Sequence, residues 1–269
     1  MSQVAAHPAV KVEIPAKAGR PLIRSLKRDD VVAALEAGWR DFKAAPLYGL
    51  AFGLIYTLGG WAIIALSNMA GLYYFSYPLA TGFALIAPFV AAGIYDVSRR
   101  LERGDPISWG GIIQSVRIAG ARDLGWMALV LTFALIIWLD FAVFLYLMFY
   151  GVHMPDFREF FVEAVSTPSG LAFLALGNAL GAVMAFAVFS ITVVACPMLL
   201  DRDVDFVTAM LTSLRCVRQN LWQMLAFALI IALWFAVAMV TMLAALVVVL
   251  PVLGHTTWHL YRLAIVHEA

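Results

Sequence analysis

Two histidines four residues apart, His255 and His259, are the nearest thing to a ligand pair in this chain. An i, i+4 pair shares one helix face, the geometry that two haem or metal ligands would need. Two ligands fall short of a closed site, which takes three or four. Their neighbours Trp258, Tyr261 and Arg262 have the composition of a membrane–water boundary. Interfacial anchoring without a cofactor is therefore the expected role of the pair. The second candidate is Asp140, the one acid well inside the run DLGWMALVLTFALIIWLDFAVFLYLMFYG. An ionisable group at the centre of a bilayer span costs about 2.5–3.5 kcal/mol and usually serves a function. The next apolar run, SGLAFLALGNALGAVMAFAVFSITVVACPMLL, holds Asn178 between Gly177 and Gly181. Counted from the loop between the runs, Asp140 and Asn178 lie at depths of about 15 and 12 Å at 1.5 Å per residue. The spacing predicts an intramembrane polar pair. No Gly-rich phosphate loop, Cys/His cluster or Ser/His/acid set stands out, so no catalytic residue is assigned.

The elements that must carry these residues are membrane helices. Hydrophobic residues make up 64% of the chain and charged residues 13%, and the mean hydropathy is +0.91. Soluble domains are about one quarter charged. Helical spans need about 20 apolar residues each, and the pattern predicts six: 47–68, 76–98, 123–150, 170–200, 221–240 and 243–262. The last two divide an apolar run of 34 residues, 221–254, which as one helix would measure about 51 Å. The turn is expected near Met239–Met242. The fold class is an all-α polytopic bundle of three hairpins. Gly49 and Gly53 in the first span, and Gly177 and Gly181 in the fourth, are small-residue steps of the kind that let helices pack closely in lipid.

Three short amphipathic helices are expected at one membrane face. The first, within 29–45, is capped by Asp29 or Asp30 and has an apolar stripe of Val32, Leu35, Trp39 and Phe42. The second carries Trp109, Ile112, Ile113 and Val116. The third carries Val207, Met210, Leu214 and Val217 behind Asp203 or Asp205. Residues 1–28 read as a disordered basic tail, and 46–266 as the membrane domain. Ser115-Val116-Arg117 precedes FALII at 133–137, and Ser213-Leu214-Arg215 precedes FALII at 227–231. Each block follows a proline near a span end, Pro88 or Pro197. That echo reads as an internal repeat.

Basic residues orient the bundle. Eight of the 18 Lys and Arg precede residue 46, five lie at 99–122 and three at 202–218; Arg262 is near the end, and only Arg158 falls in an opposite loop. The positive-inside rule then places both termini in the cytoplasm. Cys196 and Cys216 fall on that side, where thiols stay reduced. The first 30 residues show no cleavable leader pattern, so the first span is expected to direct insertion. A net charge of +1 gives no reason to expect a nucleic-acid partner.

GWRDF at 38–42, PLATGFALIAPFVAAGIYDVSRRLERGD at 78–105, LLDRDVDFVTAMLTSLRCVRQN at 199–220 and LPVLGHTTWHLYR at 250–262 resemble a prokaryotic family. Its members are predicted integral membrane proteins of unknown function, and some carry the label cytochrome c oxidase subunit I. The resemblance implies a helical membrane fold in a bacterial inner membrane and supplies no catalytic residues. A haem–copper catalytic subunit needs six histidine ligands inside about twelve spans. This chain has five histidines, with His7 in the tail, His153 in the outer loop and His267 at the end, so that label does not fit. The expected function is that of a non-enzymatic accessory, assembly or scaffold factor of a membrane complex. Its partners would be the lipid bilayer and other membrane subunits. The alternative is a small-solute transporter or channel using Asp140.

Overall fold

A computed structural model describes residues 21–266 apart from 73–75, 86, 88–90 and 153–156. Pro88, His7, His153, His267 and most of the predicted tail lie outside the described residues. The helices are α1 (Arg28–Ala44), α2 (Pro46–Met69), α3 (Ser76–Leu85), α4 (Ala92–Arg103), α5 (Trp109–Gly120) and α6 (Asp123–Tyr150). They continue with α7 (Phe157–Ser166), α8 (Pro168–Thr192), α9 (Ala195–Asp201), α10 (Phe206–Gln219), α11 (Leu221–Val240) and α12 (Leu246–Ala264).

Among the described residues four stretches are long and apolar enough to cross a membrane: α2, α6, the 34-residue segment Pro168–Asp201 that joins α8 to α9, and α11. The sequence predicts two more. The segment 76–98 is divided between α3 and α4, with residues between them outside the description. The segment 243–262 corresponds to α12, which combines apolar residues with His255, Thr256, Thr257, His259 and Arg262 and turns most of its surface into the protein. Its polar half lowers its hydropathy, because the surroundings it is built for are other helices.

Three times, a short helix at the basic end runs almost directly into a span. Ala45 separates α1 from α2, residues 121–122 separate α5 from α6, and Asn220 separates α10 from α11. Each short helix has a local start signal. Asp30 accepts from the Lys27 backbone N–H at 2.6 Å, Ser108 from Gly111 at 3.2 Å, and Asp205 from Thr208 at 2.8 Å. Pro46 and Pro168 occupy first turns of α2 and α8, where a missing N–H costs nothing.

The apolar faces of α1 and α10 differ from the sequence expectation. Helix α1 buries Val31, Ala34, Ala37, Gly38 and Phe42, while Val32 and Trp39 stay exposed. Helix α10 buries Ala209, Thr212, Ser213, Cys216 and Val217, and leaves Val207 and Leu214 out. Small residues allow these helices to lie close against the bundle. The larger apolar side chains point outward, where a headgroup layer would receive them.

Helix α12 closes the bundle, packing against α1 and α2. Gly49 meets Phe42 and Pro251, and Gly53 lies against the backbone of Val247. The first and last described segments are joined beside it by an antiparallel bridge between Ile23 and Ile265, with Arg24 N–H donating to Ala264 O at 2.9 Å. The chain turns between α11 and α12 at 241–245 without glycine or proline, with Met242 and Leu243 at positive φ. Thr241 supports the turn by donating to Val237 O and accepting from Ala245 N–H. Trp61 and Thr57 of α2 donate to the carbonyls of Met242 and Leu243 in this turn. The break in Pro168–Asp201 is held similarly. The Ser213 hydroxyl donates to Ser190 O at 2.8 Å and accepts from Val194 N–H at 3.2 Å.

The largest buried side chains gather at the basic end, where Trp258, Tyr261, Phe227, Met198, Leu124 and Met127 form one core.

Candidate functional site

His255 and His259 share one face of α12, and that face is turned inward. The Ser98 hydroxyl of α4 donates to Asp41 Oδ2 of α1 at 2.7 Å. His255 Nδ1 lies 2.7 Å from the same Ser98 oxygen, so Nδ1 carries the proton that this oxygen accepts. His259 Nε2 lies 2.7 Å from Asp41 Oδ2 and donates to it. The directions of these protons follow from satisfying the network. One carboxylate thus receives a serine and a histidine, with a second histidine behind the serine. His255 Nε2 is buried and has no hydrogen-bond partner among the described residues.

Burial pushes the Asp41 carboxyl upward. The His259 and Ser98 hydrogen bonds, with the nearby histidines, outweigh it and leave the pKa below the ordinary value of 3.8. Ser98 is fully buried and gives its proton to a carboxylate. The arrangement therefore suits holding α1, α4 and α12 in register better than activating a nucleophile. Among the described residues no three His, Cys, Asp or Glu side chains are grouped to hold a metal ion.

Two further clusters adjoin it. The Asp96 side chain is wholly buried and is bridged by Arg99 and by Arg100, the latter at 2.8 Å. Arg99 continues to Leu200 O of α9 at 2.6 Å, and Arg100 to Ser115 of α5 at 3.2 Å. Asp201 accepts from Tyr261 at 2.9 Å and from Arg103 at 3.1 Å. Glu102 accepts from Trp258 at 3.1 Å and from Arg262 at 2.9 Å. Asp201 of α9 thus meets α4 and α12, Glu102 of α4 meets α12, and the arginines on Asp96, from its own helix, reach on to α9 and α5. Parts of the segments 38–42, 78–105, 199–220 and 250–262 converge here, at residues 41, 96–103, 200–201 and 255–262. Sequence reasoning missed Asp41 and Ser98, because a set assembled from α1, α4 and α12 has no spacing to recognise. Their places in GWRDF and IYDVSRR were the available signal.

The predicted Asp140–Asn178 pair does not form. Asn178 accepts from the Tyr77 hydroxyl of α3 at 2.8 Å and donates to Leu174 O of its own helix at 2.8 Å. Asp140 is exposed on α6. Equal depth does not imply facing sides, because each residue turns a helix by about 100°. Of the glycines beside Asn178, Gly181 faces the Trp138 ring, which a Cβ added there would meet at 3.0 Å, whereas one added at Gly177 would come only within 4.0 Å of Leu145.

Gly177, Asn178 and Gly181 also border a groove of about 690 Å³ between α8, α11 and α12. Helices α8 and α11 meet near the basic end, where the Phe189 and Phe227 rings lie 6.2 Å apart. The walls are predominantly apolar, and Asp140 does not line them. The volume falls in the usual range of ligand pockets.

No curated protein and no solved structure matches this chain. The four converging segments resemble a family of membrane proteins, and residues 76–201, from the start of α3 to the end of α9, match the model described as "Predicted integral membrane protein (DUF2189)", a family of unknown function.

Proposed function

We propose that this protein is a non-enzymatic accessory or scaffold subunit of a membrane complex. It crosses a bacterial inner membrane six times with both termini in the cytoplasm. The observation that carries this reading is the mutual engagement of its polar motif residues. Asp41, Asp96, Glu102 and Asp201 each bind side chains of the same protein, joining α1, α4, α9 and α12 into one platform. Side chains spent in this way fix helix positions, as a subunit presenting a constant surface requires. The orientation is supported by the distribution of basic residues, of which only Arg158 falls in an opposite loop. A transport reading would turn on Asp140, and its exposed position lends that reading no support.

Affinity purification after mild detergent extraction is expected to retain a defined set of membrane subunits. The purified chain alone in liposomes is expected to leave solute fluxes unchanged. Solute uptake by the isolated protein, with no co-purifying subunit, would replace this proposal with transport. For the topology, a reporter active only in the periplasm and fused after Ala269 is expected to stay silent. Strong reporter activity would require an odd number of crossings.

A further inference from the structure

A second, polar cavity of about 260 Å³ opens at the basic end, among α4, α5, α9 and the start of α6. Three guanidinium groups from separate parts of the chain line it: Arg99 on α4, Arg122 between α5 and α6, and Arg202 just after α9. Asp123, Asp201 and Asp203 line it too, so a count of charges does not choose between a cation and an anion. The hydrogen bonds do. Asp123 accepts from the Phe206 N–H at 3.0 Å and so caps the start of α10. Asp201 is buried and accepts from Tyr261 at 2.9 Å and from Arg103 at 3.1 Å. Asp203 is largely exposed and pairs with Arg122 at the rim. Among the arginines, Arg99 shares the single charge of Asp96 with Arg100. Arg202 donates to the Tyr261 hydroxyl oxygen at 3.2 Å and to Val266 O at 2.9 Å. Both acceptors are neutral, and among the described residues no carboxylate pairs with Arg202. The acids are therefore engaged by protein donors while positive charge is left over, and the missing complement is an anion.

The level of the cavity says which anion is at hand. Trp126, in the first turn of α6, and Trp222, in the first turn of α11, are exposed, and Trp126 stacks on Phe206 of α10 at 5.9 Å. Tryptophans facing lipid sit at headgroup depth, so Arg122, one turn before Trp126, stands where the phosphates of that leaflet stand. Ile118, also at the cavity, is exposed and gives it an apolar edge on which the first methylenes of an acyl chain can lie. The volume is below the roughly 300–1,000 Å³ of pockets that enclose a whole drug-sized ligand, which suits a headgroup. We propose that this cavity binds the phosphate of a phospholipid headgroup, with Arg202 as its main counter-charge and Arg122 as a second donor. A headgroup held there bridges the α5–α6 and α9–α10 joints, and the site stands whether or not the protein serves a larger complex. Free phosphate presents the same oxygens, so the two sources are separated by experiment.

The full chain, purified in detergent and depleted of lipid, is given phosphatidylglycerol, a diacylglycerol that has the chains without the phosphate, or inorganic phosphate. Phosphatidylglycerol is expected to raise the melting temperature by several degrees, since a ligand of the folded state stabilises it, and the diacylglycerol is not. Arg202→Gln should weaken phosphatidylglycerol binding about tenfold or more, the scale of one charge-assisted hydrogen bond. Arg218→Gln, at an exposed base of α10 outside the cavity, should leave it unchanged. Each variant is compared with its own lipid-free melting curve, so a loss of baseline stability does not enter. If Arg202→Gln fails to fold, Arg122→Gln, at a half-exposed side chain on the rim, reads the same loss. An equal rise with diacylglycerol overturns the proposal, as does unchanged affinity in the arginine variants or an equal loss in Arg218→Gln. A rise with inorganic phosphate and none with phosphatidylglycerol overturns the lipid source and assigns the site to the soluble ion.

Discussion

Gly53→Leu is expected to prevent formation of the bundle. A Cβ at this position would lie 2.7 Å from the Val247 carbonyl carbon and 2.8 Å from its Cα. These are backbone atoms of α12, and no rotamer change can move them. The two helices must separate. With them go the bonds from Thr57 and Trp61 to the turn carbonyls of Leu243 and Met242, whose residues sit at positive φ without glycine. Overpacking alone costs about 1–3 kcal/mol, and each lost hydrogen bond adds about 1 kcal/mol. The sum, on the order of 3–5 kcal/mol, is a large part of the total stability of an ordinary domain. A melting curve of the detergent-solubilised variant reads the result directly. An unchanged transition would show that α2 and α12 are not in backbone contact. Gly181→Leu is the contrasting case, since its nearest neighbour is the rim of the Trp138 ring, a side chain beside an open groove.

That contact was legible from one side only. The Gly49–Gly53 step marks a close approach whatever the partner, because lipid gives helices no hydrophobic reason to associate. Nothing local says that the partner is α12, nearly 200 residues on. The turn at 241–245 was legible in position, from the excess length of the apolar run, but not in cause. Its stop signal is Thr241 together with donors from α2, and such a signal exists only once the helices are packed. The short helices were legible as elements, through Asp205 and their apolar periodicity, while the Ser108 cap of α5 went unread. Their inward faces were misjudged because large apolar residues usually mark a core. In a membrane-embedded protein the surroundings are apolar too, so large side chains can point out and small ones point in. The same reasoning explains Asp140 and Asn178. Depth follows from residue count, but azimuth depends on contacts such as Tyr77 with Asn178, made by a helix about a hundred residues earlier.

The polar network at the basic end was the least legible part, and Asp96 is where its removal should cost most. The Asp96 side chain is fully buried, and the two guanidinium groups on it are themselves mostly covered. In Asp96→Ala, Arg99 and Arg100 lose their shared counter-charge inside the protein while remaining tied to Leu200 O and Ser115. Removing one partner of a buried ion pair costs about 3–5 kcal/mol, chiefly because the other charge is left uncompensated. The expected result is a large fall in melting temperature and early proteolysis in the loop between α4 and α5. The triple variant Asp96→Leu, Arg99→Met and Arg100→Met separates charge burial from packing. Replacing a whole buried ionic set by apolar residues of similar volume is often neutral or stabilising, so the triple variant should melt above the single one. If both melt equally low, the contribution of Asp96 lies in the Leu200 and Ser115 links that the arginines make. If the single variant melts like the unmodified chain, the three-helix junction does not depend on this carboxylate.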